Sequence, residues 1–282
     1  MKSIALPAGT LIPTLGLGTW RLGESSARRA TEVAAVRSAI EMGYRLIDTA
    51  EMYGEGAAEE VVGQAIAEAL RAGDVRRDEL VVVSKVYPHN ASRRGTPAAC
   101  ERSRRRLGLD CIDLYLLHWR GEHPLADTMA AMHALVDAGR IAHWGVSNFD
   151  VDDMEELMAA GPGCAMNQVY FSLGERGPEF SLLPWLRAQG IPLMAYSPID
   201  QGTLAGHQAL AAIGEPRGLS AAQVALAWVL AQPGVVAIPK AVKAQHLRDN
   251  LAAASIALSA EDLRQIDRLF PPPTRKTALA MT

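Results

Sequence analysis

The sequence predicts an α/β protein folded as a single (β/α)8 barrel of the TIM type over residues 1–282, with an N-terminal β-hairpin over 1–14 as a cap and a C-terminal tail over 270–282. Three observations predict it. Eight short β-rich runs alternate with helix-like stretches down the chain. The runs read as near-continuous apolar segments, the pattern of parallel strands buried on both faces. Seven of the runs end on, or carry, polar side chains where a barrel would gather them at one mouth.

The runs, in order, are GLGTW (16–20), YRLIDTA (44–50), LVVVSK (80–85), IDLYLLHW (112–119), IAHWGVSNF (141–149), AMNQVYFS (165–172), IPLMAYSP (191–198) and VVAIPK (235–240). Before the first lies KSIALPAGTLIP, whose Pro-Ala-Gly turn suits a small hairpin closing the barrel bottom. Between runs, residues 30–43 place Val33, Val36, Ile40 and Met42 near one side, and 57–73 do the same with Val61, Val62, Ala65, Ile66 and Leu70. A further helix over 220–233 has Ser220 as N-cap and stops before Pro233. No stretch rich in Pro, Gly or Ser divides the chain, and FPPPTRKT (270–277) reads as tail.

An open doubly wound sheet is the rival architecture. Its dinucleotide fingerprint fails here, because LGLGTWRLG has Gly16 and Gly18 but Arg21 where the third glycine belongs. There is no Walker loop, and Gly145-Val146-Ser147-Asn148-Phe149 lacks the last glycine of a nucleophile elbow. Net charge is −3, and the densest basic cluster, ERSRRRLG (101–108), spreads its arginines around a solvated helix face, so no nucleic-acid partner is expected. His118, His123, His133 and His143 lack zincin spacing, and no metal is expected. Cys100, Cys111 and Cys164 have no paired spacing, which suits a reduced compartment. With no signal-like apolar start and no run near the roughly 20 residues of a membrane span, a cytoplasmic monomer is expected.

The strand ends carry the chemistry: Asp48, Ser84-Lys85, His118, Ser147-Asn148, Asn167-Gln168, Tyr196-Ser197 and Lys240. A lysine ending a buried VVVS strand needs a counter-charge, and Asp48 on the preceding strand is placed to supply it. Tyr53, in the loop after Asp48, then comes near Lys85, and a neighbouring cation is expected to favour its ionised form and make it a readier acid at neutral pH. His118 on the next strand is placed to hydrogen-bond the same substrate oxygen. Each residue has an ordinary alternative. Asp48 alone suits a turn or cap, Tyr53 a packed aromatic, Lys85–Asp48 a structural pair, and His118 a satisfied core histidine. Their convergence on adjacent strand ends argues for a site.

Together, GYRLIDTAEMYGE (43–55), VVVSKV (81–86), DLYLLHW (113–119), GVSNF (145–149) and VVAIPKA (235–241) resemble, in order and spacing, the signatures of the aldo-keto reductase family, over nearly the whole chain. The resemblance, nearest to bacterial members acting on aldehydes such as methylglyoxal, implies the (β/α)8 fold and NAD(P)H-dependent reduction of aldehydes or ketones. It implies a catalytic tetrad of Asp48, Tyr53, Lys85 and His118, with Tyr53 protonating the carbonyl oxygen. Ser147, Asn148 and Gln168 would hold the nicotinamide carboxamide, Tyr196 would stack on its ring, and Ser197 would adjoin it. Lys240 would meet the 2′-phosphate, with Lys243 and His246 in support, and Asp249 and Asn250 would touch adenine. Two or three cations near the 2′-phosphate make NADPH the expected cofactor, and His246, a weaker partner standing where many members have arginine, leaves NADH possible. Ser147 and Asn148 also suit simple strand-end turns, and the lysines suit solvated charge at a helix start.

Trp20, Met52, Tyr87, Trp119 and Phe149 would line the substrate side, an apolar and flat pocket for small or aromatic carbonyl compounds. The loop RGEHPLAD after the fourth run and the tail are short, which suggests an open pocket. Two other classes remain open on sequence alone: a cofactor-binding regulatory barrel with little turnover, and a barrel hydrolase pairing Asp48 with Glu51 or Glu55.

Overall fold

The computed structural model describes residues 2–281. Two antiparallel strands, β1 (Ser3–Ala5) and β2 (Leu11–Pro13), form the N-terminal hairpin, with Ile4 opposite Ile12. Eight parallel strands follow: β3 (Leu17–Gly18), β4 (Leu46–Asp48), β5 (Val81–Val86), β6 (Ile112–Leu117), β7 (Ile141–Ser147), β8 (Cys164–Tyr170), β9 (Leu193–Tyr196) and β10 (Val235–Ala237). They pair strictly in sequence order. The sheet closes on itself through parallel bridges Leu15–Ala237 and Gly18–Lys240. Two glycines permit that closure: a Cβ on Gly16 would lie 2.0 Å from Leu46 Cδ2, and one on Gly18 would lie 2.6 Å from the Ile238 carbonyl oxygen.

Helices fill the connections. Those over Arg29–Glu41 and Ala57–Ala72 match the apolar periodicity of the sequence. The helix Ala221–Ala231 has Ser220 as N-cap, its side chain accepting from Gln223 N while Gln223 reaches back to Ser220 N. This reciprocal pair satisfies two otherwise orphaned donors, a device typically contributing about 1 kcal/mol.

Strand alternation divides the apolar residues into two cores. Val82, Val86, Tyr115, Leu117, Leu193 and Ala195 point outward to the helices. Val83, Leu114, Leu116, Met194, Val236 and Ile238 fill the barrel interior, which Leu6 and Ile12 of the hairpin join. Each fully buried Leu or Ile of this kind contributes about 1.5–3 kcal/mol. The same alternation carries Asp48, Lys85, His118, Ser147, Gln168 and Tyr196 onto the inward face, above the interior plug.

Among the described residues no helix is long and apolar enough to cross a membrane, and no cluster of His, Cys, Asp or Glu could hold a metal ion. The three cysteines are unpaired.

Candidate active site at the barrel mouth

Lys85 is wholly buried at the end of β5 and anchors the site. Its Nζ donates to both Asp48 oxygens at 2.8 Å, to the Thr49 carbonyl oxygen at 2.9 Å, and lies 3.3 Å from Tyr53 Oη. Asp48 reaches it from the neighbouring strand. Tyr53 comes back over the pair because the turn Tyr53–Gly56 carries Gly54, Glu55 and Gly56 in left-handed conformations, with Gly56 at φ 92°. The His118 ring stands edge-on to Tyr53, centroids 5.8 Å apart at 74°. Asp48, Tyr53, Lys85 and His118 therefore meet at one spot.

Burial weighs on every charged form here. It pushes Lys85 down and Asp48 up from their ordinary values, and the attraction between them opposes both shifts. It pushes His118 well below its usual range, helped by the Lys85 charge, so the imidazole is neutral at physiological pH. For Tyr53 the sequence-based expectation is reversed. Burial first, then the Asp48 charge and Tyr196, raise the phenol well above its usual value. The largest cause is burial, which disfavours the phenolate; Asp48, which also holds Lys85 with both oxygens, adds its negative charge in the same direction. Tyr53 thus keeps its proton at rest.

Beside this cluster lie the residues expected to hold a nicotinamide. Ser147 Oγ donates to the Gln168 carbonyl oxygen at 2.8 Å, and Asn148 Nδ2 reaches the His118 carbonyl oxygen and Ser147 Oγ, each at 3.1 Å. Tyr196 Oη donates to Asn148 Oδ1 at 2.9 Å. Gln168 Nε2 donates to Asp48 Oδ1 at 2.7 Å, tying this group to the Lys85–Asp48 pair. The Tyr196 ring is half-buried and stacks on Tyr170, centroids 5.7 Å apart at 14°, and Ser197 follows at φ 48°. A flat ring backed by a second ring, next to a cluster of amide and hydroxyl groups, fits a planar amide-bearing heterocycle.

The phosphate end differs from expectation in its cations. Lys240 is pushed down by burial and by Arg28 and Arg21, against Glu32 and Glu24. Arg28 pairs weakly with Glu32 at 3.6 Å, and Arg21 lies 4.5 Å over the Trp20 ring. Lys240 thus feels two arginines as well as Glu32 and Glu24, and an anion bound there would be favoured by the three cations. Lys243 and His246 are exposed at the start of the helix Ala244–Ala253. Asp249 accepts from Gln245 at 2.8 Å, and Asn250 is buried and engages Tyr44.

On the substrate side, Trp20, Met52, Tyr87 and Trp119 are half-buried. Tyr87 and His118 each pack against Trp119, with centroids 5.9 and 4.9 Å away. Phe149 is a correction. It is fully buried in the core between barrel and helices with Met154 and Leu157, and does not line the mouth. Of the carboxyl groups a hydrolase would pair, Glu51 is held by Tyr87 N, Asn90 and Arg102, Glu55 accepts from Tyr87 Oη at 3.3 Å, and Asp48 is held by Lys85, so each is engaged elsewhere.

Comparison with known proteins agrees with this geometry. The model of the Aldo/keto reductase family matches residues 14–270. Methylglyoxal reductase YeaE of Escherichia coli (strain K12) is 46% identical over 287 residues, covering 99% of each chain. Glyoxal reductase of Bacillus subtilis (strain 168) is 40% identical over 268 residues, covering 95% of this chain and 92% of that protein. The crystal structure of an aldo/keto reductase from Klebsiella pneumoniae in complex with NADP and acetate superposes with a TM-score of 0.94 at 48% identity, covering 100% of this chain and 99% of the other. The chain belongs to the aldo/keto reductase family.

Proposed function

We propose that the protein is an NADPH-dependent carbonyl reductase that converts small reactive aldehydes of the methylglyoxal type to alcohols, with Tyr53 as general acid. The observation that carries this reading is the 3.3 Å approach of the wholly buried Lys85 Nζ to Tyr53 Oη, beside a neutral His118. The methylglyoxal and glyoxal reductases among the relatives, and the NADP-bound structural neighbour, support the choice of substrate and cofactor.

A bound reduced nicotinamide supplies the hydride to the carbonyl carbon. The chain's residues do the rest. Asn148, Ser147 and Gln168 orient the carboxamide, Tyr196 backs the ring, and Lys240 with Arg28 and Arg21 meets the phosphates. Neutral His118 donates a hydrogen bond to the carbonyl oxygen and orients it. Tyr53 gives its proton to that oxygen as negative charge develops, and the nascent phenolate accepts a hydrogen bond from Lys85 Nζ. Asp48 keeps Lys85 charged and in place. Because the phenol is held protonated at rest, the ammonium contributes as the proton leaves, which lowers the barrier and not merely the resting energy.

The half-buried aromatic rim of Trp20, Tyr87 and Trp119 suits small or aromatic aldehydes. A carbonyl panel assayed by loss of reduced-nicotinamide absorbance, with each cofactor in turn, tests the proposal. Higher kcat/KM with NADPH and turnover of methylglyoxal-sized aldehydes are expected. Higher kcat/KM with NADH would remove the cofactor preference. Turnover of large steroids alone would remove the open pocket, and no turnover at all would remove the reductase.

A further inference from the structure

Glu59 is the one acid among the first residues of the helix Ala57–Ala72 that is wholly buried, its neighbour Glu60 being exposed. It accepts a 2.6 Å hydrogen bond from Ser84 Oγ and a 3.0 Å bond from Arg106 Nη1. Ser84 precedes Lys85 on β5 and points to the helices while Lys85 points into the barrel. Arg106 comes from the helix Gly95–Leu107, and its guanidinium lies directly under Gly56: a Cβ there would fall 2.3 Å from Cζ. Gly56 ends the turn that begins at Tyr53. One carboxylate therefore connects the back of the lysine strand to the platform beneath the tyrosine turn.

We infer that Glu59 is a positioning residue for the reaction, which through Ser84 and Arg106 fixes the separation of Lys85 from Tyr53. The inference rests on the proposed role of those two groups. Glu59 has an electrostatic effect as well as a geometric one. Lys85 faces Asp48, Tyr53 and His118 inside the barrel, and Glu59 from the helix layer; Asp48 and Glu59 both favour its charged form against burial. Glu59 itself faces Arg106 and Ser84, with Cys100 and Tyr115 nearby. A carboxyl group that only stabilised the fold would change the melting temperature without changing how Lys85 titrates.

The test is steady-state kinetics of Glu59→Gln with NADPH and methylglyoxal across pH, beside wild type and Tyr53→Phe. Expected is a fall in kcat of roughly tenfold with an unchanged KM, the usual scale for losing a supporting hydrogen-bond partner. The alkaline limb of the kcat profile is expected to move to lower pH, because removing a negative charge beside Lys85 lets its proton leave earlier. An unmoved limb, or a loss confined to KM or to melting temperature, overturns the inference. Should Glu59→Gln not fold, Ser84→Ala carries the test: reduced kcat at constant KM supports it, and wild-type kcat overturns it. Retained activity in Tyr53→Phe would instead remove the underlying assignment of the acid.

Discussion

At the bottom of the barrel, the turns from helix to strand pass through left-handed glycines: Gly43, Gly73, Gly108, Gly139, Gly190 and Gly234 all have positive φ. At the mouth, Gly23, Gly54, Gly56 and Gly202 share that backbone region with side-chain-bearing residues, Arg21, Glu55, Asn148, Ser197, Asp200 and Gln201, which are all the non-glycine residues with positive φ among those described. At Gly43, Gly73, Gly108, Gly139 and Gly190 an added Cβ would meet nothing within 4 Å, so glycine is there for its backbone freedom alone. A non-glycine residue in this region costs about 1–2 kcal/mol. The chain accepts that cost only at the end where side chains are needed, next to Trp20, Tyr53, Ser147 and Tyr196. Strain at one end and its relief at the other mark the mouth as the working face and the bottom as scaffold.

Each end of the barrel can be perturbed separately, and the largest effect is expected at the mouth. Lys85→Met leaves the buried Asp48 carboxylate unpaired, which should cost about 3–5 kcal/mol of stability. It should also lower kcat by on the order of 10²–10⁴. Chemical denaturation and steady-state kinetics check the two effects separately. Asn148→Ala keeps the strained φ and removes the bonds to His118, Ser147 and Tyr196. Cofactor affinity should fall about tenfold, the equivalent of one or two net hydrogen bonds, as read by fluorescence titration with NADPH.

Acid should act through His118. Its folded value lies well below the ordinary 6.5, so below pH 6.5 the unfolded chain binds a proton that the folded chain does not. Stability then falls with pH, by up to about 1.4 kcal/mol per pH unit. Its contribution is fully present above pH 6.5, and His118→Gln should flatten the slope of melting temperature in that window. The smallest effect belongs to the bottom. Gly139→Ala should cost about 1 kcal/mol of stability and leave kcat untouched. A loss of kcat there would mean that the two ends are not independent.

The barrel was legible because the strands are buried on both faces and seven of the eight runs end on or carry a polar residue, so the runs stand out from their surroundings. Asp48, Lys85 and His118 were legible for the same reason, and Tyr53 followed from its place one loop beyond Asp48. Phe149 was not, because Asn148 at φ 60° resets the alternation that carries Ser147 inward, and a left-handed asparagine leaves no mark in an apolar pattern. Arg21 and Arg28 are not legible as neighbours of Lys240, because barrel closure, not sequence proximity, brings the start of the chain to β10. Glu59 resembled any helix-start acid; only the packing of Arg106 and Ser84 around it distinguishes it from Glu60. The direction of the Tyr53 shift is not legible in the sequence, because it is set first by burial of the phenol and then by the Asp48 charge that accompanies Lys85, both of which exist only once the barrel is packed.

The most direct measurement is the turnover of methylglyoxal by Tyr53→Phe, which removes one oxygen and leaves the ring, with NADPH binding measured on the same sample. Turnover reduced by on the order of 10²–10⁴ with cofactor affinity unchanged is the expected result. Turnover within about twofold of wild type, a change too small for the loss of a general acid, would contradict the account, because the proton would then come from elsewhere.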